Sequence, residues 1–301
     1  MRLDVYIPLV LSVLLAAISP AIGRRLAPAP ATRALTLAAV LSAASTTWAL
    51  LLLSATLITE APPVEAQARE DGQHLADPVP QAVACAALLA LALVAYRLHR
   101  VLRAQHAMRR ALRKLTANHP SGSELIVIDS PVPQAFAIPG SPGSPGRILA
   151  SSSMLSALEP AERRVLLAHE RAHLTHRHAR VSAGAALAAA ANPLLTPVHT
   201  TVTFLIERWA DEHAARTVGD RDTTARALAR AALTAHSSRP ARRLNFTDRA
   251  VTARIAALRT TPPPELRAVA AVVLAIGAFA ALGAADATDD LVELLTGALP
   301  R

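Results

Sequence analysis

Aromatic side chains make up only 3% of the 301 residues. Platforms for single-stranded nucleic acid interleave aromatic with basic residues, and no stretch of this chain has that texture. Cysteine is nearly absent too. Cys85 stands alone inside an apolar run, so no intramolecular disulfide forms and thiolates cannot build a metal site. Charge is missing over long distances, as in Leu35–Ile58, and the net charge of +9 collects beside such runs. That distribution is one of membrane topology and argues against direct nucleic-acid binding.

What is present is 52% hydrophobic and dominated by Ala and Leu, the composition of helices rather than of an all-β fold. Leu3–Ile22 is apolar except for Asp4, and its basic residues (Arg24, Arg25, Arg33) follow it, which reads as a transmembrane helix rather than a signal peptide. Leu35–Ile58 and Val79–Leu98 are each long enough to span a bilayer. Between them, 59–80 is polar and mostly acidic (Glu60, Glu65, Glu70, Asp71, Asp77) and reads as an exposed loop. A basic block from Arg97 to Lys114 follows the third span. The positive-inside rule places it and the Arg24–Arg33 loop in the cytoplasm, with the amino terminus and the acidic loop outside. Leu266–Ala285 reads as a fourth span.

From Ser121 the pattern shortens. Glu124–Asp129, Ala135–Ile138 and Arg147–Ala150 have β-type composition, and turn-forming Ser141–Gly146 separates the last two, predicting a small sheet. Scaffolding is its plain role; an edge that holds substrate in extended form by strand addition is the sharper one. Ser156 or Glu159-Pro160 then opens a helix. It carries His169-Glu170-Arg171-Ala172-His173, an H-E-x-x-H sequence. Random placement would produce that pattern about 0.015 times in a chain with 11 His and this length. On a helix, His169 and His173 share a face and can share a zinc ion, while Glu170 beside them can take a proton from a metal-activated water. His176 and His178, on the next turn, read as solvated or supporting side chains rather than ligands.

A zinc site with two His needs another protein ligand. Glu207 and Asp211 are i and i+4 on a probable helix; one can bind zinc while the other accepts a hydrogen bond from a ligand imidazole. His213 falls on a different face and is a poor ligand. Val181–Ile206 carries no charge, yet Glu207 must lie on the side of the bilayer where His173 lies. Two full crossings would need about 40 residues. Asn192-Pro193 and Pro197 break the run, which predicts two short helices, buried or re-entrant at the membrane surface. An oxyanion stabiliser is not legible: His178, His199 and His213 are all conceivable.

His169–His173 followed by Glu207-x-x-x-Asp211 resembles the gluzincin membrane peptidases of the M48 and M56 groups, and the M56 group, with the BlaR/MecR-type signal transducers, more closely. Ala135–Gly140, Arg147–Ser151, Glu162 leading into Val165–His169, and the arginine-containing helix around Arg254 (Val251–Leu258) agree. The resemblance implies His169, His173 and Glu207 as ligands of one zinc per chain, Glu170 as general base and Asp211 as the support of a ligand. It also implies a protein or peptide substrate, and in the signal transducers that substrate is a cytoplasmic transcriptional repressor. The antibiotic sensors carry a large exterior domain after the last span; 286–301 is too short for one, so a β-lactam receptor is not expected.

The expectation is thus a mainly α, polytopic cell-membrane protein. Residues 1–98 hold three spans, 99–262 a cytoplasmic zincin-like α+β metallopeptidase domain with a small β-sheet, 263–285 a fourth transmembrane helix, and 286–301 a short exterior tail. The expected activity is zinc-dependent endopeptidase action on the cytoplasmic side. Regulated cleavage of a repressor is the alternative, and a catalytically silent membrane scaffold a further one, which metal analysis would separate.

Overall fold

Ala and Leu have high helix propensity, and the charge-free runs built from them fold as long helices. A computed structural model describes residues 6–59, 80–116, 123–141, 143–237, 244–260 and 267–297. Helix α1 is Ile7–Arg25, α2 is Pro28–Thr59 and α3 is Gln81–Thr116. The strands β1 (Leu125–Ile128), β2 (Ala135–Ile138) and β3 (Arg147–Ser151) follow, then α4 (Ser152–Ala157), α5 (Pro160–Thr175) and α6 (His178–Ala191). A 3₁₀ turn at Pro193–Leu195 leads into α7 (Thr196–Val218), and α8 (Arg221–Ser237), α9 (Leu244–Leu258) and α10 (Arg267–Gly297) complete the order. Most of the acidic loop expected at 59–80, the proline link after Thr260 and the last residues of the expected tail lie outside the described residues.

Three of these helices are long and apolar enough to cross a membrane: α1, Pro28–Leu57 of α2, and Gln81–Leu115 of α3. In α10 the apolar stretch is shorter, Ala268–Gly283. The helix does not stop at Ala285, where the expected span ended, but is described through to Gly297, because Leu291, Leu294 and Leu295 continue a helix-forming sequence. A Cβ on Gly277 of α10 would stand 2.9 Å from the Ala38 Cα of α2, so the absent side chain lets the two backbones touch. Further along, Trp48 Nε1 donates to Thr288 Oγ1 at 2.7 Å, so α10 and α2 run parallel.

The sheet has the order β1-β3-β2, with β3 parallel to β1 and antiparallel to β2. Every residue of β3 is buried, while β2 forms an edge beside α5.

The charge-free segment after the motif breaks where Asn192-Pro193 predicts. Helices α6 and α7 form a hairpin whose apolar face shares one core with α1, α2 and α10: Ala185, Leu195, Val198, Val202 and Leu205 pack with Leu15, Ile22, Leu35, Ala38 and Val273. The metallopeptidase-like segment and the apolar bundle therefore share their interior. Asn192, at the hairpin turn, is 2% exposed. Its Nδ2 donates to Ser12 Oγ at 2.9 Å and Thr46 Oγ1 at 3.2 Å, and its Oδ1 accepts from the Leu194 N–H at 3.1 Å. Replacing it, Asn192→Leu, orphans the Leu194 donor and is expected to cost about 1–3 kcal/mol of stability. An unchanged thermal midpoint in detergent would contradict this role for the turn.

Candidate metal centre

Helix α5 begins at an N-cap formed by Glu159, with Pro160 in its first turn and reciprocal side-chain bonds between Glu159 and Glu162. Val165 and Ala168, on the side of the helix that adjoins the histidines, pack with Ala214 of α7 and Ala227 of α8, which holds His169 and His173 toward α7. Helix α7 presents Glu207 and Asp211 one turn apart. The two elements meet so that ligand atoms of His169, His173 and Glu207 all lie within 4.8 Å of one another.

The His169 and His173 Nε2 atoms are 3.2 Å apart. Two imidazole nitrogens on a tetrahedral zinc at its usual bond length sit about 3.3 Å apart, so the pair is spaced for one ion. Glu207 Oε2 is 3.6 Å from His169 Nε2, and Oε1 is 3.7 Å from His173 Nε2. Two imidazoles and one carboxylate, with room left for water or substrate, are a donor set that fits zinc.

The other nitrogen of His169, Nδ1, lies 3.1 Å from Asp211 Oδ1. Asp211 is 3% exposed and in turn accepts two bonds from Arg254, both 2.7 Å, on α9. Arg254 also reaches Glu207 Oε2 at 3.0 Å. Arg254, known from the sequence only by resemblance, is thereby a clamp on both carboxylates. No spacing rule places a residue 43 positions beyond Asp211 against it.

These contacts set the charges. Burial alone would lower the His169 pKa, but hydrogen bonds to Asp211 and Glu207 reverse this and raise it to about 10. His173 is lowered to about 4, by burial and then by the neighbouring His169 charge. For Glu207, burial opposes ionisation and the His169 bond overcomes it, holding the carboxylate well below its ordinary value. Burial pushes Glu170 up, so its carboxylate is more basic than usual.

A ligand imidazole must be deprotonated, so metal entering the site displaces the His169 proton at any pH below about 10. Zinc affinity is therefore expected to rise about tenfold per pH unit through neutrality, with one proton released per ion. Calorimetric titration in buffers of different ionisation enthalpy measures that release, and a pH-independent affinity would refute it.

His169 and Glu207 face a cleft of about 840 Å³ that is also lined by Ala135 of β2, Glu170 of α5, Asp211 of α7, α8 and Arg254 of α9. Glu170 lies in it 8% exposed, and accepts a hydrogen bond from the backbone of Ala137. Small and branched apolar side chains, among them Val165, Ala227, Leu228 and Ile255, form much of the remaining wall. None of the three histidines open to an oxyanion role lines this cleft. His213 pairs instead with His176, ring nitrogens 3.2 Å apart, and His199 sits near the hairpin turn. His178, expected to be solvated or supporting, is 1% exposed, tucked under His173 by the turn that follows α5.

Residues 98–204 match the family model of Peptidase family M48. That is about a third of the chain; it contains the His169–His173 motif and stops just short of Glu207. No curated protein and no solved structure matches the chain. The match supports a metallopeptidase related to M48, associated with a membrane through its apolar helices.

Proposed function

We propose that this protein is a membrane-embedded zinc endopeptidase that hydrolyses peptide bonds of a protein substrate on the cytoplasmic side. The observation that carries the reading is the clustering of His169, His173 and Glu207, with Glu170 beside them, at a cleft that His169, Glu170 and Glu207 line. His169, His173 and Glu207 would hold the zinc, and Asp211 would support His169. Zinc supplies Lewis acidity and lowers the pKa of water to about 7. Glu170 takes the proton of the attacking water on its carboxylate and delivers it to the leaving amine. The edge strand β2, whose Ala135 lines the cleft, offers backbone groups to an extended substrate. Within the wider relationship we place the chain in the M56 group, on the Glu207–Asp211 spacing and the Arg254 helix.

Contacts at one end of the bundle support the cytoplasmic orientation. Arg208, next to Glu207, donates to the Gly23 carbonyl at 2.7 Å, where α1 ends in Arg24 and Arg25. The site thus lies beside the basic end of α1, which supports a cytoplasmic site under the positive-inside rule. Parallel packing on α2 supports α10 as a fourth span. Asn192 meets α1 at Ser12, about 20 Å along the helix from Arg25, which supports a hairpin re-entrant in the bilayer.

Proteomic comparison of cells carrying the wild type and Glu170→Gln tests the function: at least one membrane or cytoplasmic fragment disappears in the variant. Purified protein binds about one zinc. Metal-free protein that cleaves as well as loaded protein would defeat the proposal.

A further inference from the structure

The two histidines proposed as ligands are supported differently. His169 turns its Nδ1 to the Asp211 carboxylate, whereas His173 Nδ1 lies 3.0 Å from the Nδ1 of another histidine, His178. We propose that His178 is a positioning residue that fixes the tautomer and ring orientation of His173 for metal binding. The proposal rests on the reading of His169, His173 and Glu207 as a metal centre.

A neutral imidazole carries one N–H and one lone pair. His173 points Nε2 at His169 and Glu207, so its lone pair must be there and its proton on Nδ1. The facing nitrogen of His178 must then accept, which puts the His178 proton on Nε2. That atom is buried and has no hydrogen-bond partner among the described residues. A buried donor left unpaired is costly, and an apolar side chain of similar size would avoid the cost. A histidine at this place gains only the acceptor it offers to His173.

The backbone carries a second cost toward the same end. Arg177, immediately before His178, has φ +52°, and among the described residues it alone adopts positive φ without being glycine. That left-handed residue sharply reverses the chain between α5 and α6, so the first residue of α6 lies beneath the motif helix. The rings of His173 and His178 then meet edge-on, centroids 4.9 Å apart at 83°. The Trp209 ring also packs against His178, centroids 4.8 Å apart. An orphaned donor and a strained turn both place one nitrogen against one ligand.

The Nδ1 of histidine and the Oδ1 of asparagine are both two bonds from Cβ, so asparagine can set an acceptor where His178 has one. Leucine fills space and accepts nothing. Full-length protein in detergent, stripped with a chelator, is titrated with zinc against a chromophoric competitor, and the visible spectrum of its cobalt form is recorded. His178→Leu is expected to bind zinc about 10- to 100-fold more weakly and to shift the cobalt spectrum. His178→Asn is expected to restore both, and the metal-free melting temperature of neither variant should fall. Equal affinity in wild type and His178→Leu overturns the proposal, as does a His178→Asn variant that fails to rescue. If metal-free stability falls together with affinity, His178 serves packing and the proposal is likewise overturned. Wild type and His173→Ala that bind zinc alike would instead remove the metal centre itself, a different result from a silent His178→Leu beside a damaged His173→Ala.

Discussion

Glu170→Gln is expected to lower kcat/KM for peptide hydrolysis by about 10²- to 10⁴-fold, the usual contribution of a positioned base, while leaving zinc stoichiometry unchanged. The change is nearly isosteric. The amide oxygen can still accept the Ala137 backbone bond, and Glu170 is not among the three side chains whose atoms cluster for the metal. What disappears is proton affinity. In the wild type, burial raises that affinity, which brings the carboxylate closer to the working pH of a base. Zinc content by atomic absorption and cleavage of a fluorogenic peptide, measured on one preparation, separate the two properties. A variant that loses metal along with activity would make Glu170 a structural residue, and one that keeps full activity would move the proton transfer elsewhere.

This part of the site was legible before any coordinates because its information is local. Helix periodicity alone puts His169 and His173 on one face, and Glu207 and Asp211 on another. What the sequence could not supply is which helices meet. The Arg254 clamp joins α9 to α7 across 43 residues, and no periodicity or spacing rule links them. His178 was hidden for a related reason. Histidine is most often partly exposed, and the reversal that buries it depends on Arg177 adopting positive φ, which its residue type disfavours.

The fold divides along the same line. Charge-free length gave the apolar helices and the break at Asn192-Pro193, because both are properties of a single segment. The three strand segments were visible in composition, yet their order was not: β3 lies between β1 and β2, and register depends on partners far apart in sequence. The shared interior of the α6–α7 hairpin and the apolar bundle also lay beyond pattern reading. An apolar face announces that it will be covered without saying by what. Here the cover for Val198 and Leu205 is α1 and α2, so the helix that carries Glu207 is seated on helices proposed to span the membrane.

The largest stability effect is expected at Arg254. Its side chain is 11% exposed and Asp211 is 5%, and they share two bonds of 2.7 Å. Removing one partner of such a pair leaves an uncompensated buried charge, so Arg254→Ala is expected to cost about 3–5 kcal/mol. Asp211, freed from the guanidinium, would draw the His169 proton more strongly, and Glu207 would lose its 3.0 Å contact, so zinc affinity should fall as well. The second change that discriminates is Arg254→Ala combined with Asp211→Asn. Asparagine is uncharged yet still offers an oxygen to the His169 Nδ1–H, so the double variant should recover much of the lost stability and part of the zinc affinity. Residues that act through one ion pair are non-additive by this measure. Thermal unfolding of the single and double variants, with and without zinc, reads the coupling directly. Losses that simply add would mean that Arg254 stabilises α9 against the cleft wall by packing, and that the charge on Asp211 is compensated from elsewhere.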